Sequence, residues 1–189
     1  MRMFVAAVPP EEVLADLDEF WQVRRDAAGF RSSAPESWHL TLAFLAEVRE
    51  RQLDGLLERL EQAVAKRSRF DLVIAGGGAF PDPLRAKVLY AGVAGDTDEL
   101  GRLVTGARLA ASTAGVAVDG ARFHPHLTLA RFGRPAQVAR WIQVLDTYRG
   151  PPWTVEEVAL VESHLGEGPR GRPRHETVAR FPLTEAHLG

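Results

Sequence analysis

Apolar and polar positions alternate along this chain with two periods. Residues 2–8 are almost continuously apolar and stop at Pro9-Pro10, which predicts a short buried strand. Pro10-Glu11-Glu12 opens a helix, with proline early and acids in the first turn. Val13, Leu14, Leu17, Phe20 and Trp21 carry that helix to about residue 27, and Gly29 stops it. Residues 38–45 alternate and predict a strand, and Leu53, Leu56, Leu57, Leu60 and Val64 mark a second amphipathic helix. Strands are predicted at 69–75 and 86–93, with Gly76-Gly77-Gly78 and Pro81-Asp82-Pro83 punctuating the link. Beyond them come a helix over 97–114, a strand over 126–132, a helix over 135–147, and strands over 154–163 and 175–183. The stretch 166–174 has the composition of a flexible basic loop.

Strands follow one another without regular β–α alternation, so the predicted class is α+β with mainly antiparallel sheets. The order helix, strand, helix, strand, strand occurs in each half. This predicts two lobes related by an approximate two-fold axis, and no short tandem repeat points to a solenoid.

Composition narrows the function classes. The 189 residues suit one domain over 1–189 or two small lobes sharing a core. The formal net charge of -2 argues against coating nucleic acid by bulk charge and leaves a local basic groove open. With no cysteine, disulfides, thiolate nucleophiles and zinc–thiolate sites are excluded. That fits a cytoplasmic protein. The apolar opening is too short for a secretory leader, and no run approaches transmembrane length. Nothing suggests an obligate interface, so a monomer is expected.

The chemistry concentrates in a repeated pentapeptide. His39-Leu40-Thr41-Leu42-Ala43 recurs as His126-Leu127-Thr128-Leu129-Ala130, each copy in a predicted strand. Alternation puts His39 with Thr41, and His126 with Thr128, on faces opposite the leucines. Leucine faces packed on helices would turn both His-x-Thr faces outward or into a cleft. Imidazole titrates near pH ~6.5, so at neutral pH one ring can serve as base and the other as acid. Such a pair suits in-line displacement at phosphorus, with the threonine hydroxyls donating to non-bridging oxygens. A single copy would read as a polar strand face that happens to carry histidine.

These residues resemble the two-histidine (2H) phosphoesterase superfamily, marked by two His-x-Thr-x motifs, and within it the RNA 2',3'-cyclic phosphodiesterases, also called 2'-5' RNA ligase-like proteins. The matching pieces span nearly the whole chain: Arg2-Met3-Phe4-Val5-Ala6, Trp38 to Leu45, Ala79-Phe80-Pro81, Lys87 to Val93, Phe123 to Arg131, and Ala179 to Leu183. The resemblance implies a bilobal fold with helices outside and a central cleft. It implies metal-free, cofactor-free hydrolysis of a terminal 2',3'-cyclic phosphate to a 2'-phosphate, on RNA ends or nucleoside 2',3'-cyclic phosphates. His39 would be the proton donor and His126 the proton acceptor, roles that residue chemistry alone leaves unassigned. Thr41 and Thr128 join them as catalytic residues, and Phe44 and Arg131 occupy positions that line the family's ligand site. Phe44 is open between stacking on a base or ribose and serving as a core aromatic. Arg131 is open between clamping the phosphate and a solvated strand end. A 2'-5' ligase working mainly in the joining direction, and an RNA-end binding module without turnover, are the alternatives.

Other candidates carry less. His124-Pro125-His126 looks like a metal hook, but no acid lies within either motif to complete it. His124 is therefore expected at a groove edge or turn. His164, His175 and His187 have no repeated partner and are expected at strand ends or in the tail. Arg85, Lys87, Arg170, Arg172 and Arg174 are candidates for touching RNA or for solvated turn charges. The glycine run lacks a phosphate-loop pattern.

Overall fold

In a computed structural model describing residues 1–185, the chain forms eight strands and four helices in two four-stranded antiparallel sheets. The first sheet has the order β2 (Leu40–Leu45), β1 (Met3–Ala7), β7 (Glu157–His164), β8 (Arg174–Pro182). The second has the order β5 (His126–Ala136), β4 (Ala86–Gly95), β3 (Phe70–Phe80), β6 (Trp153–Val155). The helices are α1 (Glu11–Ala28), α2 (Glu50–Ala65), α3 (Thr97–Thr113) and α4 (Ala139–Leu145). The α+β class and the antiparallel pairing agree with the sequence reading, but the lobes are not the sequence halves. The last two strands join the first two, and β3–β4 join β5–β6.

One large core fills the space between the helices and the inner faces of both sheets. Met3, Val5, Leu40 and Leu160 enter it from the first sheet, and Leu72, Ile74, Leu89 and Leu127 from the second. Buried Val13, Leu17 and Trp21 of α1, Leu56 and Leu60 of α2, and Leu100 and Leu103 of α3 close it. β1 is buried on both faces: Phe4 and Ala6 turn away from this core and meet Ala159, Val161 and Phe44 in a separate apolar cluster. That second cluster lies on the cleft side of the first sheet.

Three boundaries depart from expectation. The glycine run does not break β3, which continues to Phe80. A Cβ on Gly77 would lie 2.6 Å from Leu145 Cβ and one on Gly78 would collide with the Tyr90 ring, so the glycines admit close neighbours rather than a turn. The strand expected over 154–163 is cut at Glu156 into β6 and β7, which belong to different sheets. β5 runs to Ala136, so α4 starts only at Ala139. His187 lies outside the described residues. Among the described residues, no helix is long and apolar enough to cross a membrane.

Candidate functional site

The two motif strands, β2 and β5, each take an edge position in their own sheet. Exposed edges invite pairing with foreign strands, and here each is covered by the segment that leads to the other motif. The Ser33 amide donates to the Leu129 carbonyl at 2.7 Å, and Ser32 bridges to Ala130. Reciprocally, the Asp119 amide donates to the Phe44 carbonyl at 3.1 Å, with Arg108 Nε donating to the Leu42 carbonyl at 3.3 Å. These crossed covers tie β2 to β5.

A register shift in each strand decides which side chains share a face. In β2, Ala6 pairs with Thr41 but Val5 with Ala43, leaving Leu42 as an extra residue. In β5, Tyr90 pairs with Thr128 but Leu89 with Ala130, leaving Leu129 extra. An extra residue inverts alternation from that point on. Hence Phe44, opposite Phe4, joins the face of His39 and Thr41, and Arg131, opposite Val88, joins the face of His126 and Thr128. Strict alternation would have put both with the leucines. Phe44 is therefore no core aromatic: it packs on Phe4 and Ala6, with the Arg2 guanidinium 4.4 Å above its ring.

Both imidazoles are held by the same device. His39 Nδ1 lies 2.8 Å from the Ser37 carbonyl, and His126 Nδ1 lies 2.6 Å from the His124 carbonyl. A carbonyl only accepts, so both Nδ1 atoms carry the proton and Nε2 is the acceptor nitrogen of each neutral ring. The surroundings of Nε2 differ. His39 Nε2 lies 3.0 Å from Thr41 Oγ1, and the ring stacks on Phe4 with centroids 4.7 Å apart. His126 instead meets Phe80 edge-on at 5.0 Å and Tyr90 at 5.3 Å.

Burial lowers the pKa of His39 from 6.5 to about 4. The Ser37 hydrogen bond opposes this, while positive charge on His175, Arg131 and His126 adds to it. Burial likewise lowers His126; its bond to the His124 carbonyl opposes, and the charges of His124 and Arg131 reinforce. Arg131 thus acts on both imidazoles, one from each sheet.

The remaining candidates fall as follows. His124 is exposed, and its Nε2 lies 3.0 Å from the Tyr90 hydroxyl. His175, expected at a strand end, stands near the start of β8 with its ring 5.7 Å from His39 and 5.1 Å from Phe4. Residue type alone does not single out Phe4, Phe80 or Tyr90 as neighbours of the motif histidines. Arg172 donates to the Ser32 carbonyl at 3.3 Å, Arg174 pairs with Glu167 and Glu176, and Arg85 and Lys87 are exposed. Among the described residues, one set of possible metal ligands converges, Glu162, His164 and Glu176, and it includes neither motif histidine. A depression of about 980 Å³ between α2 and α3 holds none of the motif residues.

Two four-stranded lobes, each offering an edge strand with His, Thr and a residue turned inward by a bulge, define a two-histidine phosphoesterase architecture. The sequence profile of the 2'-5' RNA ligase superfamily matches residues 9–167. An RNA 2',3'-cyclic phosphodiesterase of Thermus thermophilus is 32% identical over 99% of this chain and 92% of its own length. The crystal structure of the T. thermophilus protein TT0787 superposes with a TM-score of 0.77, at 31% identity, over 99% of this chain and 100% of the other. That of Escherichia coli LigT complexed with 3'-AMP gives a TM-score of 0.78 at 26% identity, over 97% and 98%. The chain belongs to the 2'-5' RNA ligase superfamily of two-histidine phosphoesterases, and it is an enzyme, a phosphoric diester hydrolase.

Proposed function

We propose that this single bilobal domain opens 2',3'-cyclic phosphates at RNA ends, producing a 2'-phosphate with His39 as proton donor and His126 as proton acceptor. The observation that carries the reading is the pair of bulged edge strands, which collect two imidazoles, two threonine hydroxyls and a guanidinium on cleft faces of opposite sheets. The names of the relatives and the 3'-AMP complex of E. coli LigT agree with a ribonucleotide phosphate as ligand.

In the proposed step, His126 Nε2 takes a proton from water as its oxygen attacks phosphorus. The bond from phosphorus to O3' breaks, and His39 Nε2 protonates the departing O3'. Arg131 balances the charge on the non-bridging oxygens, with Thr41 and Thr128 donating to them. Without an anion beside it His39 is predominantly neutral at neutral pH, because burial, reinforced by the Arg131 guanidinium, disfavours its charge. An anionic phosphodiester beside it reverses that balance, so bound substrate itself arms the acid.

No carboxylate joins His39 or His126 in a converging ligand set among the described residues. The reaction is accordingly written without a metal. The test is turnover of a cyclic-ended oligonucleotide, with product isomers resolved, with and without EDTA. His39→Ala and His126→Ala should each lower kcat by about 10²–10⁴-fold. Wild-type rates in either variant, a 3'-phosphate product, or loss on chelation restored by zinc or manganese would overturn the proposal. Joining to a 5'-hydroxyl RNA in preference to hydrolysis would move the assignment to the ligase direction.

A further inference from the structure

A second group of titratable side chains lies on the other face of the first sheet. Along β7, Ala159 and Val161 join the cleft-side cluster, whereas Val158 and Leu160 enter the large core. Glu162 and His164 continue the row of Val158 and Leu160. Opposite them in β8, Glu176 pairs with Glu162 and Arg174 with His164. His175, paired with Ser163, turns the other way, and its ring lies 5.7 Å from His39. The sheet itself therefore separates this group from His39.

The group is short of positive charge. Like charges directly opposite on paired strands repel, and Glu162 and Glu176 are such a pair. A third carboxylate, Glu167, enters from the turn after β7, with Oε2 3.1 Å from His164 Nδ1. Arg174 lies 3.7 Å from both Glu167 and Glu176. Among the described residues, three carboxylates thus share one guanidinium, and with His164 neutral two negative charges stay unbalanced. The Glu162 and His164 side chains are only 21% and 23% exposed, so solvent screens them incompletely.

The donor atoms are spaced for a small divalent ion. Nitrogen and oxygen ligands lie about 2.0–2.2 Å from zinc, which sets tetrahedral neighbours about 3.3–3.6 Å apart. His164 Nε2 lies 3.1 Å from Glu176 Oε2 and 3.7 Å from Glu162 Oε2, and the three donor atoms all lie within 4.8 Å of one another. A carboxylate on the other ring nitrogen is the means by which a metal-bound imidazole is held in one tautomer, and Glu167 stands there. Its acceptance of the Nδ1 proton leaves the Nε2 lone pair to the ion. The imidazole also separates this set from a patch of acids, since magnesium and calcium take oxygen ligands whereas zinc takes nitrogen as well. We propose that Glu162, His164 and Glu176 bind one zinc ion, with Glu167 as the positioning residue for His164. The ligands stand at the end of β7 and the start of β8, so the ion clips the two strands at the root of the loop 165–173. Its role is structural, on the face away from the proposed reaction.

The test titrates the EDTA-stripped full chain with zinc chloride in a calorimeter, and with magnesium chloride for comparison. It is run in wild type and in His126→Ala, which removes the His124-Pro125-His126 hook as a rival ligand. One equivalent of zinc should bind in His126→Ala, and magnesium should give no matching heat. In that background Glu167→Gln should weaken zinc binding about 10–100-fold, and Glu176→Gln should abolish it. Glu176→Gln keeps the shape of an exposed side chain, so its Tm in EDTA should match its parent. Zinc at about a hundred times its Kd should raise the parent's Tm about 5–10 °C and leave that of Glu176→Gln unmoved. Zinc binding that disappears in His126→Ala, that persists unchanged in Glu176→Gln, that magnesium reproduces, or that leaves Tm where it was overturns the site. Binding and unfolding are read without turnover, so the outcome is independent of the cyclic phosphodiesterase reading.

Discussion

Phe4 of β1 and His39, the residue just before β2, lie ring on ring, 16° from parallel. The contact fixes the plane in which His39 Nε2 can reach a ligand. Phe4→Leu keeps an apolar side chain of similar bulk, so stability should fall by less than about 1.5 kcal/mol. Without the stack the imidazole gains freedom, and kcat should drop about tenfold with KM little changed. Steady-state kinetics beside urea unfolding checks this; full activity in Phe4→Leu would remove the orienting role.

Arg131 presses on both histidines, and its removal should show in two places. Arg131→Met loses the charged donor to phosphate, so KM for a cyclic phosphate should rise about 10–100-fold. It also removes a cation that lowers His39 and His126. The acid limb of the kcat/KM profile should therefore move to higher pH. A profile superimposable on wild type would contradict the shared electrostatic role.

The free-enzyme profile is itself a prediction. In the proposed reaction the productive form has His39 charged and His126 neutral, while burial lowers both below the ordinary imidazole value. The optimum of kcat/KM should fall on the acid side of pH ~6.5. The optimum of kcat should lie higher, because the bound anion raises His39. Coincident optima would argue against substrate-driven charging.

Tyr90→Phe cuts the hydroxyl from His124, the residue whose carbonyl holds His126 Nδ1. A modest fall in kcat of about threefold to tenfold is expected, with the limb belonging to His126 displaced. His124→Asn, which keeps a hydrogen-bonding side chain, should be milder than His124→Ala. Identical pH profiles in all three would separate His124 from the base.

Acid should destabilise the fold through His39. In the unfolded chain this imidazole titrates near 6.5, and in the folded chain at about 4. Between those values the unfolded state binds more protons, so stability falls as pH drops through that window. His39→Gln lacks this proton, and its stability relative to wild type should improve between pH ~8 and pH ~5 in urea unfolding. A constant difference across that range would mean that His39 is not buried as described.

The sequence disclosed the fold unevenly, for physical reasons. The His39 and His126 strands were legible because leucines at alternate positions must face a core, and Leu40, Leu42, Leu127 and Leu129 are all buried. The faces of Phe44 and Arg131 were not, because a bulge leaves no mark in residue type: Leu42 and Leu129 look like any other alternating leucine. The pairing of β7–β8 with β1–β2 was hidden as well. Glu156 gives no hint that the chain changes sheets there. His175 carried no signal in isolation and gains its place only from the long-range pairing of β8 with β7.

That pairing has a consequence for how the protein is made. Synthesis runs from the N-terminus, and domains form as their parts emerge. β3, β4, β5 and β6 are all present once Val155 is out, so the sheet carrying His126 can close early. The sheet carrying His39 holds the first strands of the chain and also the last, and β1 waits for β7 and β8 at its other side. A nascent chain short of β8 therefore has both motif histidines but lacks the strand that brings the His175 ring beside His39.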